Sequence, residues 1–169
     1  MKDSQNIRKS SNIRVMALEP GEGKSYWVLG DLYTFKAVGE DTGGSFAMIE
    51  VEVQRQNGPP PHIHHREDET FYVLAGDFTF LHGERTFIAT PGSFVHIPKG
   101  TIHTFKNVGK RIGRFLVVIT PAGFEKFFEE VGESLVDRSA PPPVSQEAVQ
   151  KLLALAPKYH LEVIPVDVR

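Results

Sequence analysis

The chain contains no cysteine, and this one absence removes disulfides, thiolate metal sites, iron–sulfur clusters and cysteine nucleophiles together. Net charge is nearly absent as well, since 19 Lys and Arg stand against 21 Asp and Glu. A balance of this kind gives no global field to steer the protein onto a phosphate backbone or an anionic membrane, so neither nucleic acid nor membrane is expected as a partner. Long apolar runs are missing: stretches such as Phe115 to Ile119 fall far short of the roughly 20 residues that span a bilayer. The first twenty residues carry no apolar segment of the kind a secretion signal needs, and the expected location is the cytoplasm. What remains is ample core material, with 40% hydrophobic and 10% aromatic residues in 169, enough for one domain.

Residues 1–20, with Lys2, Arg8, Lys9 and Arg14 among small polar residues, read as an N-terminal arm. A barrel is expected over 21–121. There, short alternating segments rich in Val, Ile, Phe, Tyr and Thr recur: Leu32–Ala37, Phe46–Val53, Thr70–Leu74, Phe78–Leu81, Thr86–Ile88, Phe94–Ile97, Ile102–Phe105 and Phe115–Ile119. Turn signals such as Gly76-Asp77, Pro91-Gly92 and Pro98-Lys99-Gly100 separate them, which predicts an all-β antiparallel sandwich or barrel. Residues 122–169 change period. Phe124, Phe127, Phe128 and Val131 make a helical stripe. Ser145 is placed to cap a second helix carrying Val149, Leu152 and Leu153, and Leu161 to Val168 suits a last extended segment. Both helices are expected to pack outside the barrel.

Of the seven histidines, three fall within four residues: His62, His64 and His65. On a strand, His62 and His64 point to one side while Ile63 and His65 point to the other. Glu69 shares parity with Phe71 and Val73, which puts a carboxylate on the core side, a costly position unless it is paired or bound to a metal. His103 follows the Pro98-Lys99-Gly100 turn and shares parity with Phe105. Three imidazoles and one carboxylate on inward faces form a nitrogen–oxygen donor set. It suits one divalent transition metal (Fe, Mn, Ni, Co, Cu or Zn), with a position left open for water, dioxygen or substrate.

At these residues the chain resembles the cupin superfamily. Pro61-His62-Ile63-His64, four residues, Glu69, six residues and Gly76 are similar to the first cupin motif; Gly58 and three prolines stand where a glycine usually opens it. Gly92, five residues, Pro98-Lys99-Gly100, two residues, His103, three residues and Asn107 resemble the second. The resemblance implies a double-stranded β-helix, the cupin jelly-roll barrel, with His62, His64, Glu69 and His103 as metal ligands, and a homodimer. A narrower likeness, carried by Gly30-Asp31-Leu32, Glu40 to Gly44, Phe71 to Leu74 and Thr120 to Phe128, points to single-domain cupins that resemble quercetin 2,3-dioxygenases.

That likeness implies opening of a flavonol or another enol-bearing aromatic substrate by O2, with Glu69 as the catalytic proton acceptor beside the ion. Phe71, Val73 and Phe105 would then wall a dry substrate pocket, with Tyr33, Tyr72 and Trp27 as further candidates. Three rivals stand beside it. One is a non-oxidative isomerase or decarboxylase acting on a sugar or small acid, which calls for an Arg or Lys in the pocket. The others are a binding module whose ion is not catalytic, and a barrel that senses a small ligand.

Overall fold

A computed structural model describes residues 15–83, 85–138 and 141–165. The basic residues of the expected arm, at 2, 8, 9 and 14, lie outside the described residues, as do 166–168 of the last extended segment.

Among the described residues, twelve strands form two antiparallel sheets. In chain order they are β1 (Ser25–Val28), β2 (Asp31–Ala37), β3 (Ala47–Val53), β4 (His62–His64), β5 (Asp68–Ala75), β6 (Phe78–His82), β7 (Arg85–Ala89), β8 (Phe94–Ile97), β9 (His103–Asn107), β10 (Gly113–Thr120), β11 (Glu133–Ser134) and β12 (Leu161–Val163). One sheet runs β11-β1-β2-β3-β10-β5-β8 and the other β12-β4-β9-β6-β7. From β3 to β10 the chain passes repeatedly between the sheets, so residues far apart in sequence meet face to face. This is the expected double-stranded β-helix.

The alternation that predicted the strands is realised as burial. Along β3, Ala47, Ile49, Val51 and Val53 are buried and the residues between them are partly exposed; β10 repeats the pattern through Phe115, Val117 and Ile119. Between the sheets, Phe71, Phe78 and Phe105 surround Phe115 at centroid distances of 5.0–5.2 Å. All three contacts are edge-on, the arrangement aromatic quadrupoles favour. Gly76 closes the hairpin after β5 with φ +83°, and a Cβ there would stand 2.7 Å from the Gly113 Cα. Only glycine fits both the backbone conformation and the space.

Three elements depart from the sequence expectation. A short helix α1 (Gly39–Thr42) interrupts the strands; at four residues it is too brief to show a period. β1 and β11 pair with each other through Tyr26↔Ser134 and Trp27↔Glu133, so the C-terminal region supplies edge strands to both sheets as well as helices α2 (Glu125–Val131) and α3 (Gln146–Leu155). The Ser145 cap is present, its Oγ accepting from the Ala148 amide at 3.0 Å. α3 nevertheless turns Leu152 and Leu155 towards the core and leaves Val149 and Leu153 exposed, because the inward stripe runs on into buried Ala156. Among the described residues no helix is long and apolar enough to cross a membrane.

Candidate metal centre

β4 and β9 are neighbours in the five-stranded sheet, with His62 and His103 directly paired. β5 lies in the opposite sheet, where Glu69 is held between Ile97 of β8 and Ile119 of β10. The four side chains therefore approach one point from both walls of the barrel. One potential donor atom from each of His62, His64, Glu69 and His103 lies within 4.8 Å of the others. Donors about 2.0–2.2 Å from a shared ion stand no more than about 4.4 Å apart, so this spacing needs only a small contraction to close around a cation. All four residues are buried.

The sequence between the histidines and the preceding turns explains their aim. His62 Nδ1–H donates to the Pro60 carbonyl at 2.9 Å, and His103 Nδ1–H donates to the Thr101 carbonyl at 3.0 Å. In both cases the bond goes to the residue two positions earlier, and it leaves Nε2 as the atom facing the centre. Pro59, Pro60 and Pro61 have no amide hydrogens, yet each carbonyl is used: Pro59 accepts from Thr104 Oγ1 at 2.6 Å, Pro60 from His62, and Pro61 from the Ile164 amide at 2.8 Å. Gly58 precedes them because a Cβ there would stand 2.0 Å from the Phe105 carbonyl oxygen. The turn of the second motif locks onto the first, Gly100 N–H donating to the His64 carbonyl at 2.7 Å and Lys99 N–H to Asp68 Oδ1 at 2.8 Å. Asn107, fully buried, has both ends occupied: Nδ2 donates to Val53 and Arg111 carbonyls, and Oδ1 accepts from Gly109 N–H.

Glu69 Oε2 lies 2.9 Å from His103 Nε2 and 3.3 Å from His64 Nε2. Burial works to raise the Glu69 pKa, but attraction to His64, His103 and His62 overrides it and holds the carboxyl down at about 2. Burial, reinforced by the His103 charge, pushes His62 down to about 3. For His103 burial also acts downward, yet the hydrogen bond and charge of Glu69 prevail and raise it. A buried carboxylate facing three imidazoles is a nitrogen–oxygen donor set, and it suits a divalent ion.

A cavity of about 190 Å³ opens onto His62, His64 and Glu69. Of the residues expected in a substrate pocket, Phe71, Phe105 and Tyr33 line it. Three other candidates stand elsewhere. Val73 is inward but two residues beyond Phe71 along β5, deep in the core and away from the cavity. Trp27 points to the opposite side of β1 from the cavity-lining Val28 and donates its Nε1–H to the Asp137 carbonyl at 3.2 Å. Tyr72 faces out and is half exposed. The wall that sequence reasoning assigned to outside packing is α2 and the residue before it: Phe124, Phe127 and Phe128 line the cavity, and the Phe124 ring sits edge-on to His64 at 4.4 Å. Asp31 also lines it; burial pushes its carboxyl up to about 6. Its parity with Tyr33 was the available signal. His65, as its parity required, points outward and meets Glu162 at 2.8 Å.

Residues 49–119 match the family described as the cupin domain. Over 116 residues the chain is 29% identical to quercetin 2,3-dioxygenase of Bacillus subtilis, an alignment covering 69% of this chain and 34% of the relative. The chain thus spans about a third of that relative's length. A predicted oxalate decarboxylase from Thermotoga maritima superposes with a TM-score of 0.59 at 18% identity, covering 63% of this chain and 99% of the other. The polyketide cyclase RemF from Streptomyces resistomycificus gives 0.56 at 24% identity, covering 63% and 80%. At these identities the two structures share the fold.

Proposed function

We propose that this chain, which matches the cupin domain over residues 49–119, is a metal-dependent oxidoreductase, a dioxygenase acting on a flat, enol-bearing aromatic substrate with O2. The observation that carries this reading is the character of the cavity. Six phenylalanines line it, at 71, 105, 115, 124, 127 and 128, and no Lys or Arg is among its described lining residues. A phosphate or carboxylate substrate would find no Lys or Arg side chain among these lining residues to pair with it, which weighs against the isomerase and decarboxylase readings.

Size narrows the substrate further. Apolar cavities of about 150 Å³ take up benzene, so a space of about 190 Å³ accepts one substituted ring, with the remainder of a larger molecule extending to the rim. Val144 is half exposed and marks that rim.

His62, His64, Glu69 and His103 would hold the ion. A divalent ion bound there supplies Lewis acidity, which lowers the pKa of an enol hydroxyl placed against it. Glu69 is the group in position to accept the enol proton at Oε2, the atom that already faces His64 and His103. His62 and His103 keep their orientation through their carbonyl partners. The phenylalanine walls keep the ring flat and exclude water, which strengthens the hydrogen bonds made inside.

The test is incubation of the metal-loaded protein with a flavonol panel, aerobically and anaerobically, with oxygen uptake recorded. Oxygen-dependent loss of the flavonol chromophore supports the proposal. Turnover without oxygen uptake returns the chain to the non-oxidative class.

A further inference from the structure

Two of the three clustered histidines have their second ring nitrogen satisfied by the carbonyl two residues earlier, and His64 does not. Its Nε2 faces Glu69, while its Nδ1 is buried without a hydrogen-bond partner. Facing that nitrogen at 3.9 Å is Oε2 of Glu67, which is itself buried and without a partner. Glu67 is 4% exposed although it lies in the connection between β4 and β5, and its other oxygen lies 4.0 Å from the largely exposed Arg66. A buried carboxylate in a surface connection is costly unless something requires it. Two complementary unpartnered groups facing each other supply the requirement.

The geometry points to Glu67 as a positioning residue for His64: its carboxylate accepts the Nδ1 proton of the imidazole, fixes the tautomer with Nε2 free, and turns that nitrogen towards the metal. The present gap is about 1 Å longer than a hydrogen bond, and a small rotation about the Glu67 side chain closes it. Phe124 packs edge-on against the same ring at 4.4 Å, so the imidazole sits between an aromatic stop and the carboxylate. A carboxylate partner also makes the imidazole a stronger donor than a carbonyl does.

This inference rests on the metal-binding reading above, and the experiment separates the two. Cobalt(II) is titrated into wild type, Glu67→Gln and Glu67→Leu, with the visible absorption bands giving both affinity and ligand field. The melting temperature of each metal-free protein is measured in parallel. Partners of metal-bound histidines are worth about 10–100-fold in affinity. Glu67→Leu is expected near the upper end of that range, with displaced bands. Glu67→Gln keeps an acceptor oxygen and loses the charge, so it should fall between Leu and wild type. Wild-type protein that takes up no cobalt overturns both readings. Wild-type uptake with unchanged affinity and bands in Glu67→Gln and Glu67→Leu overturns the role of Glu67 alone. Should Glu67→Leu fail to fold, the near-isosteric Glu67→Gln decides: weakened binding with displaced bands supports the proposal, and wild-type values overturn it.

Discussion

His62 and His103, forty-one positions apart in the sequence, are direct cross-strand partners between β4 and β9, and their ring centroids stand 4.3 Å apart. Each ring is steered by a backbone carbonyl two residues upstream, so the pair is set by main-chain geometry and not by side-chain packing alone. Replacing one imidazole should therefore remove the metal while sparing the barrel.

His103→Ala is expected to keep the wild-type circular dichroism and to lose stoichiometric metal in elemental analysis. Glu69 then loses its closest partner, so stability should fall by about 1–3 kcal/mol, within what a domain of this size tolerates. Metal retained by an unfolded variant would contradict the assignment.

Acid should weaken metal binding, because protons and the ion compete for the same nitrogens. His103, whose pKa Glu69 raises against the pull of burial, holds its proton to higher pH than an ordinary histidine and so competes with the ion. His62, pushed down to about 3, adds no competing proton above that pH. Competition titrations between about pH 5 and 8 should show affinity falling steadily with acid. An affinity constant across that window would exclude histidine coordination.

Asp31 gives the opposite sense of pH effect on stability. Its pKa is raised by burial from 3.8 to about 6, so the folded state binds the proton more tightly than the unfolded one. Stability is therefore fully present below about pH 4 and declines as pH rises to about 6, by roughly 3 kcal/mol at most. Asp31→Asn retains an oxygen for the Gln54 amide, which donates to Asp31 Oδ1 at 2.8 Å. Urea denaturation should show the variant more stable than wild type at pH 7.5 and no better at pH 4.

Val144 stands at the cavity rim without touching the metal residues. Val144→Trp should retain metal and lose affinity for aromatic ligands, read by ligand-induced fluorescence change in metal-loaded protein. Equal ligand affinity in the two proteins would place the entrance elsewhere.

Much of this was legible from residue order alone. Period-2 alternation gave the main strands, and histidine parity gave His62 and His64 a common side with His65 opposed. The cavity was only partly legible. Parity says which side of a strand a residue faces but not how far along the barrel axis it sits, so Val73 was indistinguishable from Phe71. The Phe124, Phe127 and Phe128 stripe announced a helix that buries a face, but nothing local says whether that face meets solid core or encloses a space. Glu67 was invisible for a similar reason. In Arg66-Glu67-Asp68 it reads as one more solvated charge, and only the return of the chain against His64 buries it.

The Pro61 carbonyl bonded to Ile164, together with the pairing of β12 to β4, ties residues 161–164 to the strand that carries His62 and His64. Shortening the protein before Leu161 would leave β4 with a raw edge on one flank. Tags, truncations or proteolytic trimming at the carboxyl end thus become operations on the metal centre, although they begin far from it in the primary structure.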